Sequence, residues 1–398
     1  MKNQNFCLKP FNSLNLSTDG TLSPCCAFQI NESTFKGEKN YNLKTHSIDD
    51  YWNSDYLKNV QQQFLDSKQP VECRKCWRDE REGVKSLREH TNTHYKILGN
   101  KKPQFYLDFF EKTNLKHPED YNLDITNLCN LKCFMCDGGS SSKLLIENND
   151  LGLDDRNQKD YDIENDKVDY LIDQIVKNNV TVVTLQGGEP LLNPKILILI
   201  DKLSKKNADK IHLWITTNGT QYSPFLLQKL RKFKEVKIIF SVDGTEKVND
   251  YMRFPSQWKN VKQNIKNFLT LKNASFQISF TVQNLNLLDV DNIIKFANSH
   301  KVHCKLNILH GPTYLQFFVL PKNLLELAYE KIKQISTEHY ALTTNLKFLK
   351  DSIIEHIKAD NDQSEQIEML KDIMQKRDAY RKIRMKDFLP ELANQLNI

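Results

Sequence analysis

Between about residues 119 and 310, short runs of β-branched and aromatic residues alternate with stretches whose apolar residues recur every three or four positions. YNLDIT (121–126), TVVTLQ (181–186), IHLWITT (211–217), VKIIFSV (236–242), FQISFTV (276–282) and HCKLNIL (303–309) predict six strands. Five helical patterns separate them. Residues 164–178 carry Val168, Leu171, Ile172, Ile175 and Val176 on one face. PKILILIDKLSKK places Pro194 in its first turn, where proline is tolerated. SPFLLQKLRKF, a helix bearing Trp258, Val261, Ile265, Phe268 and Leu269, and 287–299 complete the set. Such alternation predicts an α/β fold of parallel strands and crossover helices, in an open doubly wound sheet or a barrel. The polar, acidic stretch 138–163 reads as a cover loop or insertion.

Outside that block the pattern changes. Residues 1–100 predict a small irregular module: Asp19-Gly20 as a tight turn between short strands, Ser47 with Asp50 as a helix start, then Leu57, Val60 and Phe64 at helical spacing. It has little core of its own, and a metal cluster would supply the missing cross-links. After 311, HGPTYLQFFVLP reads as a last strand or extended connection, and 323–358 and 363–386 as helices. The chain therefore divides into 1–100, 101–315 and a mostly helical 316–398.

Hydrophobic residues make up 39% of the chain, with 21 Phe and 14 Tyr, which excludes a disordered protein. The net charge of +6 is a mild excess, and no nucleic-acid partner is expected from it. No apolar run approaches the roughly 18 residues that span a bilayer, and MKNQNFCLKPFNSLNL contains no secretory h-region. The expectation is a cytoplasmic protein with no membrane partner. In a reducing compartment nine cysteines read as metal or redox sites rather than disulfides. Cys7, Cys25, Cys26, Cys73 and Cys76 fall in the first part, Cys129, Cys133 and Cys136 in the second, and Cys304 stands alone.

Cys129-Asn-Leu-Lys-Cys133-Phe-Met-Cys136 follows the first of the six strands directly. In barrels that carboxyl-terminal face carries the chemistry. Three thiolates so close can converge on one metal centre, and cubane iron–sulfur clusters are held in similarly tight loops. Three ligands leave one of four irons open; a structural zinc site, the alternative, wants a fourth ligand.

The CxxxCxxC run resembles the signature of the radical S-adenosylmethionine (SAM) superfamily, and further matches follow in that family's order. Gln186-Gly187-Gly188-Glu189-Pro190 after the second strand resembles its GGE motif, Thr216-Thr217-Asn218-Gly219 its TNG turn, and Ser241-Val242-Asp243-Gly244 its SxDG turn. The resemblance covers 119–310. Met135 stands where relatives often carry an aromatic. By this resemblance Cys129, Cys133 and Cys136 hold a 4Fe–4S cluster. Gly187, Gly188 and Glu189 meet the SAM amino group, Asn218 belongs to the SAM-binding turn, and Ser241 and Asp243 line the ribose. Arg253 faces the SAM carboxylate, and Val282, Gln283 and Asn284 approach the adenosine. The fold implied is a partial (β/α)6 TIM-like barrel.

The first part has its own resemblance. GTLSPCC at 20–26, Tyr51-Trp52 and CRKCW at 73–77 resemble the SPASM/twitch modules that carry auxiliary 4Fe–4S clusters, here placed before the barrel. Cys7, Cys25 or Cys26, Cys73 and Cys76 would complete one cluster, with a zinc knuckle as the alternative. Glu80 to Arg88 resembles the E-x-x-G-x-x-S-x-R segment of the twitch branch. Two 4Fe–4S clusters and SAM are thus the cofactors implied. The activity implied is reductive cleavage of SAM to a 5′-deoxyadenosyl radical that abstracts hydrogen from a peptide or protein substrate. The auxiliary cluster would assist, and a one-electron reductase such as a flavodoxin or ferredoxin would supply the electron. The alternatives are the same chemistry on a carbohydrate or nucleotide-sugar precursor and, from another class, a non-catalytic zinc- or RNA-binding protein. Cys304, on the last barrel strand, is a candidate hydrogen-atom donor as well as a core residue.

Overall fold

The computed structural model describes residues 5–30, 41–83, 85–94, 116–153, 161–335, 342–359 and 361–397. Val84 and the expected division near residue 100 lie outside the described residues. Among the described residues nine strands form one sheet: β1 (Ser13–Leu16), β2 (Leu22–Ser23), β3 (Asp120–Asp124), β4 (Val182–Gln186), β5 (His212–Thr217), β6 (Glu235–Ser241), β7 (Ala274–Val282), β8 (His303–Ile308) and β9 (Leu342–Thr344), in the order β2-β1-β3 and then on to β9. β3 to β8 are the six strands that the hydrophobic pattern predicts. Every neighbouring pair is parallel except β1 with β2.

From β3 onward the spatial order is the sequence order. Right-handed crossovers that never reverse direction put all their helices on one face, which makes a barrel; a doubly wound sheet needs a reversal. No described pairing joins β2 to β9, so the sheet is an open, partial barrel. Burial alternates accordingly. On β5, Leu213, Ile215 and Thr217 are buried while His212, Trp214 and Thr216 are half-buried. Leu213 and Ile215 share one core with Ile196, Leu199 and Ile200 of the Pro194–Leu203 helix. The outer face therefore carries the core, and the inner face is largely polar.

Three features depart from the pattern. β1 and β2 bring the first part of the chain onto the barrel edge, with Leu14 opposite Tyr121 and Leu16 opposite Leu123. The loop expected at 138–163 contains a helix, Ser142–Asp150, whose interior buries Glu147 beside Leu144 and Leu145; a buried carboxylate hides the apolar period. The helix read through 323–358 is two, Lys322–Ile332 and Leu346–Ala359, with β9 between them. HGPTYLQFFVLP forms two tight 3-10 turns and no strand. The local signals near the amino terminus match the structure. Gly20 turns β1 into β2 at φ +92°, Ser47 and Asp50 make both bonds of a capping box, and Leu57, Val60 and Phe64 are the buried face of the Asp55–Leu65 helix.

Candidate active site and cysteine cradles

The Cys129–Cys136 loop leaves the carboxyl end of β3. Cys129 and Cys133 are buried and Cys136 half-buried, packed with Leu131 and Met135. Burial pushes the Cys133 thiol up to about 12 against the nearby Arg253 charge, and raises Cys129 and Cys136 as well. Such thiols keep their protons unless a cation offsets the thiolate charge, as a metal centre does.

The GGE turn after β4 docks directly on this loop. The Glu189 amide donates to the Leu128 carbonyl at 2.9 Å. Gly188 sits at φ +53°, and a Cβ there would run into the Leu128 carbonyl oxygen; a Cβ on Gly187 would meet Asp124. The two glycines thus admit the cysteine loop's own backbone. The fully buried Glu189 accepts from Thr217 Oγ1 at 2.7 Å, the Asn218 amide at 2.6 Å and the Leu191 amide at 3.1 Å. Three of its roughly four lone pairs are thereby engaged by the protein. Burial raises its pKa and these bonds oppose the rise. Asn218 Nδ2 donates to Asn130 Oδ1 at 3.0 Å and lies 4.0 Å from Cys129 Sγ.

Arg253 and Asp243, expected on different ends of SAM, pair with each other at 2.6 Å. Asp243, fully buried, also accepts from the Thr281 amide at 2.7 Å, and Arg253 Nη1 lies 3.6 Å from Cys133 Sγ. Ser241 is half-buried at the end of β6. Val282 is buried on the outer parity of β7. Gln283 is fully buried, and neither atom of its side-chain amide is bonded among the described residues; Asn284 Oδ1 is likewise unmet. Leaving such a group unsatisfied costs about 1–3 kcal/mol. These orphaned atoms after β7 and the three-thiol loop after β3 fit a polar nucleoside ligand beside a cluster.

The second cradle is assembled from distant segments. Cys7, Cys25, Cys73 and Cys76 line one pocket with Lys9, Phe28, Phe64 and Arg88. Cys26 does not line it and is exposed. Of the two cysteines left open by the sequence, Cys25 is the one that faces the pocket. Among the described residues no three His, Cys, Asp or Glu side chains close on a single-ion position; the four thiols ring a pocket instead. The Glu80–Arg88 segment gains a physical role. Ser86 Oγ donates to Glu80 at 2.5 Å, Arg88 pairs with Glu80 at 2.6 Å and donates to the Phe6 carbonyl at 2.9 Å, and its guanidinium stacks 4.9 Å from the Trp77 ring. The segment ties the Leu87–His94 helix across the cradle.

Cys304 is fully buried on the outer parity of β8, within the main core. The inner positions of that strand are 303, 305 and 307, so Cys304 packs in the core and does not face the barrel interior. Sequence reasoning also missed a buried ion network. Glu147, fully buried, bonds Arg377 and Arg381, the latter at 2.8 Å, and lies 3.3 Å from Lys132. Arg381 donates to the Lys132 carbonyl at 2.7 Å and stacks 4.5 Å from the Phe134 ring. The Ser364–Arg381 helix thereby clamps the cysteine loop. The partners lie more than two hundred residues apart, and no local signal links them.

Comparison with known proteins finds two separate family matches along the chain. The family model of the radical SAM superfamily matches residues 123–297, and that of the SPASM iron–sulfur cluster-binding domain matches residues 7–77. An AdoMet-dependent heme synthase of Methanosarcina barkeri is 24% identical over 201 residues, 50% of this chain and 50% of the relative. A mycofactocin maturase of Mycobacterium tuberculosis is 26% identical over 195 residues, 49% of this chain and 45% of the relative. The chain thus matches about half the length of these curated relatives. Among solved structures, SuiB of Streptococcus suis bound to S-adenosylmethionine aligns over 87% of this chain and 69% of its own, with 15% identity and a TM-score of 0.40.

Proposed function

We propose that the chain is a radical SAM enzyme with an SPASM-type iron–sulfur domain, one that cleaves SAM reductively and modifies a peptide or protein substrate. The observation that carries this is the docking of the GGE turn, backbone against backbone, on a loop presenting two buried thiols and one half-buried thiol at the carboxyl ends of parallel strands. In this reading Cys129, Cys133 and Cys136 hold a 4Fe–4S cluster, and Cys7, Cys25, Cys73 and Cys76 hold an auxiliary one. A cluster held by Cys129, Cys133 and Cys136 would supply the electron for reductive cleavage of SAM, the source of a hydrogen-abstracting radical.

The protein's own residues position and exclude. Glu189 locks the GGE turn to the Thr217–Asn218 turn and keeps a lone pair for an ammonium donor. Arg253, held by Asp243, places a positive charge beside Cys133. Gln283 and Asn284 offer buried amide atoms to a nucleoside. The SPASM domain and the relative named as a maturase support a peptide substrate. A small-molecule substrate is the second reading, which the relative named as a heme synthase favours. A flavodoxin- or ferredoxin-type donor would supply the electron. No described helix is long and apolar enough to cross a membrane.

The test is iron, sulfide and zinc per chain after anaerobic reconstitution, with 5′-deoxyadenosine measured after reduction in SAM. About eight irons with 5′-deoxyadenosine formation is the expected result. Zinc without iron and no 5′-deoxyadenosine would sink the proposal.

A further inference from the structure

The pocket of the second cradle holds two cations as well as four thiols. Cys7, Cys25, Cys73 and Cys76 share it with Lys9 and Arg88. Arg88 is committed to the protein: its guanidinium bonds both oxygens of Glu80 and the Phe6 carbonyl, and it stacks on Trp77. Lys9 is committed only in part. Its side chain is 16% exposed, and among the described residues its ammonium bonds Asp120 alone, at 2.7 Å. An ammonium carries three N–H donors, and Asp120 takes one; the others are left for whatever fills the pocket.

Both partners are held in place. On either side of Lys9, the Leu8 amide donates to Asn92 Oδ1 at 3.2 Å and the Pro10 carbonyl accepts from Gln61 Nε2 at 2.8 Å. The Asp120 side chain is 8% exposed, and its Oδ2 also accepts at 3.1 Å from Ser13 Oγ, its register partner across β1 and β3. Because β1 and β3 run parallel, residues 7–12 lie at the amino-terminal end of β3, opposite the end from which the Cys129–Cys136 loop leaves. The ion pair thus joins the auxiliary pocket to the strand that leads to the first cradle. A buried ion pair repays its desolvation only when the remaining protons also find acceptors. The sulfurs of a cluster held by the four thiols would be those acceptors.

We propose that Lys9, held by Asp120, is a positioning residue of the auxiliary cluster, donating N–H···S hydrogen bonds to it and raising its reduction potential. This rests on Cys7, Cys25, Cys73 and Cys76 holding that cluster. Hydrogen bonds to the sulfurs and nearby charge set the potential of such centres, and a positive charge favours the reduced, more negative state. Asp120 aims the ammonium and partly cancels its charge.

The test is a potentiometric titration of the reconstituted holoprotein followed by electron paramagnetic resonance, with iron counted on each sample. Adding SAM marks the first cluster, and the reduced signal that SAM leaves unchanged is the auxiliary one. In Lys9→Gln the reduced-to-oxidised ratio of that signal at a fixed potential should fall about tenfold, a downward shift of about 59 mV for one electron. Asp120→Asn keeps an acceptor for the ammonium but removes the negative charge, and should move the ratio the other way. Opposite signs separate tuning from damage to the fold, which would move both variants alike. A ratio in Lys9→Gln equal to that of the wild type, or shifts of the same sign in the two variants, overturns the proposal. If Lys9→Gln fails to load the auxiliary cluster, Asp120→Asn decides: a raised potential supports the proposal and an unraised one overturns it. About four irons in the wild type, with no SAM-insensitive signal, would reject the auxiliary cluster itself and the tuning with it.

Discussion

The two cysteine cradles are built in opposite ways. The Cys129–Cys136 loop draws three thiols from one short segment and leaves its fourth side to the GGE turn and Arg253. The pocket of Cys7, Cys25, Cys73 and Cys76 draws four thiols from three separated segments and closes around them with Phe28, Phe64 and Arg88. An open set of three ligands suits a centre that binds a reactant, and a closed set of four suits one that only passes electrons or holds the fold. The first cradle takes its shape from neighbours that clamp a preformed loop. The second exists only when the first hundred residues have folded.

The largest expected effect breaks the first cradle. Cys133→Ala should lose about half of the reconstituted iron and abolish 5′-deoxyadenosine formation, read by iron analysis and by chromatography after reduction. Retained 5′-deoxyadenosine would mean that the loop does not hold the reactive centre. A smaller change attacks the same cradle through packing. In Gly188→Ala the new Cβ meets the Leu128 carbonyl and the residue keeps an unfavourable positive φ, so the GGE turn must lift from the loop. We expect SAM affinity to fall at least about tenfold with iron content unchanged, measured by equilibrium binding to the holoprotein.

The second cradle separates two adjacent residues. Cys25→Ser should cost about four irons, whereas Cys26→Ser, altering a side chain that does not line the pocket, should retain about eight. Equal losses would erase the distinction between them. The clamp on the first cradle is next. Arg381→Ala removes one partner from the buried Glu147 network and from the Lys132 carbonyl, and should destabilise the fold by about 3 kcal/mol in denaturant titration.

The same contrast explains what the sequence makes legible. Strands β3 to β8, the three-thiol loop and the turns after β4, β5 and β6 are local patterns, and each stands where the hydrophobic period and the motif order place it. The second cradle is legible as a set of residues but not as an arrangement. Neighbours as close as Cys25 and Cys26 differ only in the direction that the turn after β2 gives them. β1 is legible as a short strand before the Asp19-Gly20 turn, but its pairing with β3 is not, because nothing in SLNL names a partner more than a hundred residues away. The clamp was hidden because Glu147 and Arg381 look like ordinary surface charges until a helix near the end of the chain folds back on the loop. The same holds for Asp243 and Arg253: spacing gives residue types, and only tertiary contact shows that the two pair with each other.

The smallest expected effect concerns Asp124, which ends β3 on the inner face. It lies against Gly187 of the first cradle and in the electrostatic field of Cys26 beside the second. Burial raises its pKa from 3.8 to about 7, opposed by a hydrogen bond from Gln186, and its Oδ1 has no partner among the described residues. A carboxyl whose folded pKa exceeds its unfolded value binds more protons in the folded state, so its contribution to stability declines as pH rises from about 4 to about 7 and stays low above that. Asp124→Asn holds the neutral shape at every pH. The variant should therefore melt close to the wild type near pH 5 and a few degrees higher near pH 8. A pH dependence identical to that of the wild type would show that folding leaves the Asp124 pKa where it is in the unfolded chain.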